Sequence, residues 1–483
     1  MDRLALLRQG SRLIAAGDLA GSEASYRGIL ARLPDDAETL SNLAAVLSLR
    51  GEHVAAEQAC RMAVRIDPGC GAAHGNLGLA LHRQQRHDEA IAAYCAALRI
   101  HPGHVNACTN LGVALAEQWR MADALRIHAA AVQLAPNHAE IRYNRALALL
   151  MAGEFAEGFA EFEWRWRAQG MLPHGLSGPQ WQGENLEGRR ILVHDEGGFG
   201  DTLQFIRFVP GLVADRVEVL VRVQKPLLRL MQRSLPGVQV LTHGDAMPAF
   251  DVHCPMLSLP RALATTLDTI PGQAPYLMPD RAATARWQTR FVGRSTDLRV
   301  GLVWAGEPRP GSPMVHAMDG RRSAPLSAFA EFADLSGVRL ISLQRGVAAT
   351  MERPPGLCLW DPMAEMVDFA DTAGLIANLD LVITVDTAVA HLAGGLGRPV
   401  WLMSRFDACW RWLAGRRDSP WYPGLRLYRQ PKPGDWAAVI AEVAKDLRAL
   451  ANEKGRANGT PFVRQSDAYQ VLEAPPHLPS FTL

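Results

Sequence analysis

The stretch "AAHGNLGLALHRQQRHDEAIAAYCAALRIHP" at residues 72–102 decides the N-terminal fold, because its features return in phase along the chain. Pro34, Pro68, Pro102 and Pro136 are spaced by 34 residues, and Asn42, Asn76, Asn110 and Asn144 keep the same interval. Leu43-Ala44, Leu77-Gly78 and Leu111-Gly112 follow the asparagines, while Ala56, Ala90 and Ala124 fall where a second helix must approach closely. A small residue at such a crossing lets two helices pack, and a proline beyond the second helix stops it. The period predicts stacked helix pairs: about three full units, a degenerate one at about 3–34 and a last one from about 137.

These phased residues resemble tetratricopeptide repeats, which implies a solenoid with a concave surface, since one repeat cannot bury its apolar face alone. Two readings of Asn42, Asn76, Asn110 and Asn144 stand side by side: a ladder that holds an extended peptide of a protein partner in the groove, or bonds to neighbouring backbone. The run "EWRWR" offers a similar choice. Trp164 and Trp166 with Arg165 and Arg167 could grip a ligand by cation–π contact, but a capping helix docked on the next domain explains them more economically.

Composition narrows the class. The chain has 483 residues, 48% hydrophobic and 20% charged, which suits about three globular domains. Lys+Arg 50 against Asp+Glu 49 leaves a net charge of +1, so no long-range field draws the chain to nucleic acid or anionic lipid. Cys60, Cys70, Cys95, Cys108, Cys254, Cys358 and Cys409 are scattered, without a C-x-x-C pair, which argues against a disulfide frame or zinc cage and for a reducing cytosol. The N-terminus lacks the apolar core of a signal peptide, and no run reaches the roughly 18 residues of a spanning helix, so a cytoplasmic location without a transmembrane segment is expected.

After a proline- and glycine-rich linker at 169–188 the texture changes. The runs "RRILVHDE", "RVEVLVRV", "VQVLT", "FDVHCP", "RVGLVWAG", "VRLISLQ", "LDLVITVD" and "RPVWLM" alternate with amphipathic stretches, the pattern of parallel sheets covered by helices. A break near Asp280 to Asp297, read as a hinge, separates halves at 189–290 and 297–430. A helix is read at 431–455, and the tail at 456–483 shows no period.

Two strand-to-helix turns carry chemistry. In "ILVHDEGGFGDTLQ", residues 191–204, Gly197, Gly198 and Gly200 let backbone pass close to a ligand, and Asp201 lands on the first turn of the next helix. In a doubly wound sheet that place faces the ligand crevice, where a carboxylate can take a proton from a hydroxyl; the plainer reading is an acid favoured by the helix dipole. In "LDLVITVDTAVAHLAGGLGRPVWLM", residues 379–403, Thr387 and His391 share a helix face and the helix amides offer a phosphate seat. Asp386 is then expected to cap the helix or accept hydroxyl hydrogens, and His391 is read either as a ligand contact or as a histidine satisfied by a nearby carbonyl. Arg321, Arg322 and Ser323 close a long loop, and two arginines there can neutralise a departing diphosphate or simply keep a surface wet.

Together "GGFGDTLQFIRFVPGL" and "DFADTAGLIANLDLVITVDTAVAHLAGGLGRPVWLM" resemble the heptosyltransferase-like glycosyltransferases of family 9, in the form that carries tetratricopeptide repeats at residues 1–168. The resemblance implies a GT-B fold of two Rossmann-like halves, acceptor side first and donor side second, with the helix at 431–455 returning to the first half. It implies Asp201 as general base, and Asp386, Thr387 and His391 as the donor-binding pattern, with Ala388 where the family often has glycine. It further implies Trp304, Arg321, Arg322, Ser323 and Gln344 around a nucleotide-sugar donor, with a protein or glycan acceptor. No D-x-D triplet occurs, which agrees with metal-independent transfer, and the resemblance implies an inverting reaction without a cofactor. The rival expectation is a catalytically silent repeat scaffold.

Overall fold

The computed structural model describes residues 3–168, 175–271, 274–291, 297–308, 318–407 and 409–456. These form two compact units, residues 3–152 with 160–168, and residues 153–159 with 175–456. Residues 153–159, which the repeat reading assigns to the solenoid, group instead with the second unit. The tail at 457–483 and the segments 169–174 and 309–317 lie outside the described residues.

The first unit is a stack of antiparallel helix pairs: Arg3–Ala15 with Leu19–Leu30, Ala37–Leu49 with His53–Ile66, Gly71–Arg83 with His87–Ile100, and Val105–Glu117 with Met121–Leu134, then Ala139–Ala152. Its core obeys the period through size compensation. A methyl added to Gly10 would lie 2.5 Å from the Tyr26 ring, one on Gly78 2.5 Å from Tyr94, and one on Gly112 2.6 Å from His128. At the same two positions of the second pair stand Ala44 and the smaller Cys60, both fully buried in one cluster. Each pair therefore trades volume between its two helices, which keeps packing dense although the residues differ. The first pair, degenerate in sequence, follows the same rule.

The asparagines show one clear role. The Asn76 amide donates to the Ser41 carbonyl and hydroxyl, both at 3.0 Å, tying one repeat to the one before. The run after the last repeat packs on its own unit: the Arg165 guanidinium is buried, 4.9 Å from the Phe162 ring and 4.8 Å from that of Trp166, while Arg142 and Arg167 cover Trp164. These arginines close the stack.

The second unit holds two parallel sheets. The first contains β1 (Arg190–His194), β2 (Glu218–Val223), β3 (Gln239–Thr242) and β4 (Val252–Pro255) in the order β3-β2-β1-β4. The second contains β5 (Leu298–Val303), β6 (Val338–Ser342), β7 (Leu359–Trp360), β8 (Leu381–Val385), β9 (Val400–Ser404) and β10 (Leu425–Arg429) in the order β10-β9-β8-β5-β6-β7. All the runs quoted above form strands. Their continuous apolar character follows from burial on both faces, complete along β8. Strand order reverses between β1 and β4 in one sheet and between β5 and β8 in the other. Such switch points open crevices outside the carboxyl ends of the strands.

The segment read as a hinge contains a helix, Arg281–Phe291, whose buried Trp287 meets Trp360 of β7 at 5.9 Å between ring centroids. The closing helix, Trp436–Arg456, does not return to the first sheet. Its Trp436, Val439, Ile440, Val443 and Leu447 join Leu298, Phe329 and Leu381 in the core of the second. Its apolar stripe had only to find the largest uncovered apolar face, and the longer sheet supplied it. No helix among the described residues is long and apolar enough to cross a membrane.

Candidate functional site

The site begins where β1 ends. Of the three acids in the glycine turn, two are spent on the fold: Asp195 pairs with His243 at 2.8 Å, and Glu196 accepts the Leu257 amide at 2.8 Å. Asp201 stands apart, 23% exposed, on the helix Phe199–Phe205. Its Oδ2 accepts the Gly198 amide at 2.8 Å, which caps the helix, and its Oδ1 accepts from the Arg411 guanidinium. The glycines serve these contacts. A methyl on Gly197 would lie 2.3 Å from Asp201 Oδ2, and one on Gly200 3.0 Å from the His391 ring. The close approach predicted for a ligand is thus made to side chains of the protein itself.

Asp201, Gln204 and Arg207 fall on one face, and all three meet the second half of the unit. Arg411 Nε donates to Gln204 Oε1 at 2.8 Å. Arg207 is fully buried, donates to the Trp421 carbonyl at 2.7 Å and the Tyr276 hydroxyl at 2.9 Å, and lies 4.7 Å from the Tyr422 ring. Phe205 adds an edge contact to Trp421, on which Phe155 also stacks. Burial works against the charge of Arg411, yet the neighbouring Asp201 and Cys409 hold its pKa above the ordinary arginine value. Arg207 and Arg411 are absent from the sequence reading. The Trp-Arg-Trp run at 410–412 is the one local signal, since an arginine between tryptophans is often covered by them.

At the end of β8, Asp386 and Thr387 are half-buried at the switch point, beside the end of β5. Asp386 does not cap the helix Ala388–Gly395: Thr387 holds the cap position without a side-chain bond, and its hydroxyl lies 3.1 Å from that of Thr384. No side-chain cap occupies the helix start among the described residues. Arg322 donates to the Asp386 carbonyl at 3.2 Å and pairs with Asp319 at 2.8 Å, whereas Arg321 turns to Asp407 at 3.2 Å. The two arginines thus separate instead of acting on one point. Ser323 accepts the Gly306 amide at 3.1 Å and donates to the Asp319 carbonyl, which fixes the loop.

Three residues expected around the donor make contacts within the protein. Gln344 accepts the amides of Trp304 and Ala305 and donates to the carbonyls of Ala305 and Arg345, so its amide group is fully used. The Trp304 ring is buried in the core under β5. His391 is buried, stacks on Trp412 at 5.3 Å and bonds Tyr422 through Nδ1 at 2.8 Å. Burial, then the charges of Arg411 and Arg207, hold its pKa well below the usual histidine range, so it is neutral. Its neutrality lets two arginines crowd it.

Comparison with known proteins bears on the first unit. The tetratricopeptide repeat family model matches residues 7–69 and 67–105. The N-terminal unit carries tetratricopeptide repeats. Solved structures similar to it include a thermophilic repeat protein from Thermus thermophilus, 21% identical, covering 36% of this chain and 93% of that one with a TM-score of 0.32. Another is PilF of Pseudomonas aeruginosa, 18% identical over 44% of this chain and 85% of that one, with a TM-score of 0.34. Among curated proteins, FlbA of Caulobacter vibrioides is 28% identical over 339 residues, 64% of this chain and 55% of its own length. The chain spans about half the length of that relative.

Proposed function

We propose that the second unit is an inverting, metal-independent glycosyltransferase of GT-B type, with the repeats recruiting the acceptor or a partner protein. The observation that carries this reading is the meeting of two strand-to-helix turns: Gly200, beside Asp201 beyond β1, against His391 and Ala388 of the helix beyond β8. On this reading a base and a phosphate seat, each at a switch point of its own sheet, face one another.

In this mechanism the donor diphosphate lies against the start of the helix Ala388–Gly395, which no side chain caps among the described residues, with Arg322 alongside. The acceptor hydroxyl approaches Asp201. As its oxygen bonds to the anomeric carbon, the bond from that carbon to the diphosphate breaks on the opposite face, and the proton passes to Asp201. The carboxylate has room for it. An ionised carboxylate offers about four acceptor sites, and the Gly198 amide and Arg411 occupy one on each oxygen. Arg411 keeps Asp201 oriented between proton transfers.

A second reading, the silent scaffold, draws support from Gln344, whose amide group serves the fold, and from His391, whose Nδ1 bonds Tyr422. Thermal shift with a panel of nucleotide sugars separates the two. Ligand at about 100 times its dissociation constant stabilises by about 2.7 kcal/mol, so one member of the panel should raise the melting temperature visibly. A flat response across the panel rejects the transferase and leaves the scaffold.

A further inference from the structure

We propose that His82, His87 and Glu117 form a binding site for one divalent transition-metal ion of the zinc class, set between consecutive repeats of the solenoid. His82 lies at the end of the helix Gly71–Arg83, His87 opens the next helix, His87–Ile100, and Glu117 ends Val105–Glu117. The turn between the first two brings both imidazoles to one side, and stacking of the following repeat delivers the carboxylate. His82 Nε2 lies 2.5 Å and His87 Nδ1 3.6 Å from the same oxygen, Glu117 Oε2. One ligand atom from each residue falls within 4.8 Å of the other two.

The repeat itself supplies an internal control. Position 82 is Ser48 one repeat earlier and Ala116 one later; position 87 is His53 and Met121; position 117 is Arg83 and Met151. Nothing in the packing of a repeat calls for ligand-type residues at all three places, yet at this junction they coincide. A hydrogen bond between His82 and Glu117 would account for that pair but not for a second imidazole nitrogen turned to the same oxygen.

Two imidazoles and a carboxylate are a donor set that suits zinc, at ligand distances of about 2.0–2.2 Å, with a fourth position left for water. The ion would take the place of the proton shared by His82 and Glu117 and move the ligand atoms slightly apart. The rings are held by packing. His82 and His87 meet edge to face at 5.4 Å, and Tyr94 presents its edge to His82 at 6.5 Å. His87 is 3% exposed at its side chain, against 14% for His82 and 26% for Glu117, so the cluster has a dry floor and an open side through which an ion enters. Bound there, the ion would fasten three helices from two repeats.

The test uses the full chain, stripped with a chelator and titrated with zinc chloride against a chromophoric competitor, with cobalt as spectroscopic probe. The expected result is one ion per chain, cobalt absorption bands of a nitrogen–oxygen site, and a melting temperature that rises with zinc. His82→Gln, Glu117→Gln and His87→Met, the last copying Met121, should each weaken binding at least about tenfold and abolish the thermal shift. Should His87→Met fail to fold, Glu117→Gln at the open side carries the comparison. Wild-type chain that retains no zinc at micromolar concentration, or variants that bind as tightly as wild type, overturn the site.

Discussion

Two buried histidines show how differently the units handle polar groups. His128 sits in the solenoid against Gly112, with both ring nitrogens buried and no hydrogen-bond partner among the described residues. His391 sits in the α/β unit with a tyrosine hydroxyl on one nitrogen, a tryptophan beneath it and arginines nearby. Burial drives both to the neutral form, His128 down to about 4. In the solenoid the imidazole fills the volume that Tyr26 and Tyr94 fill elsewhere. In the α/β unit it belongs to a network in which Arg207, Arg411, Tyr276 and Tyr422 make polar contacts between residues as far as 214 apart in sequence. Repeats tolerate an isolated polar group because each junction is replaceable; a site cannot.

The contrast can be broken at several points. Arg411→Met removes one member of the network and leaves Asp201 without its cation. The pair is neither fully buried nor exposed, so the cost in denaturant unfolding of the α/β unit should be about 2 kcal/mol. A loss near zero would make the network ornamental.

His128 predicts a pH effect of similar size. Unfolded, the ring takes a proton near its ordinary value of 6.5, while folded it does so only near about 4. Between these values the unfolded chain binds the extra proton, so stability is full above 6.5 and falls as pH drops toward 4, by about 3 kcal/mol in all. His128→Tyr, which copies Tyr94, should flatten that part of the stability–pH curve; an unchanged slope would remove His128 as its source.

Gly78→Ala sharpens the size-compensation rule. The new methyl would overlap Tyr94, and overpacking of this kind costs about 1–3 kcal/mol by chemical denaturation. Pairing it with Tyr94→Cys, the Ala44 and Cys60 combination, should recover most of the loss. The smallest effect belongs to Asn76→Ala, about 1 kcal/mol for the bonds to Ser41, read as a lowered midpoint without loss of fold.

Legibility in the sequence followed the range of the interactions. The solenoid could be read from Pro34 to Pro136 because every contact that defines a repeat lies within or next to it. Long buried strands such as β1 and β8 were equally plain. β7 and β10 were not: one has two residues, and the other, "LRLYR", alternates apolar and polar positions as an edge does. Asp201 was legible as a carboxylate after a glycine turn, but its partner Arg411 was not, since no local pattern joins residues 210 apart. The internal bonds of Gln344 and His391 were illegible for the converse reason. A polar residue at a strand end looks the same in sequence whether it faces a ligand or braces a loop.

The most direct measurement is release of free nucleotide from whichever nucleotide sugar stabilises the chain, compared between wild type and Asp201→Asn. The account predicts turnover by wild type and a fall of about 10² to 10⁴ in the variant, with the fold retained by circular dichroism. Equal turnover by the two proteins would contradict it.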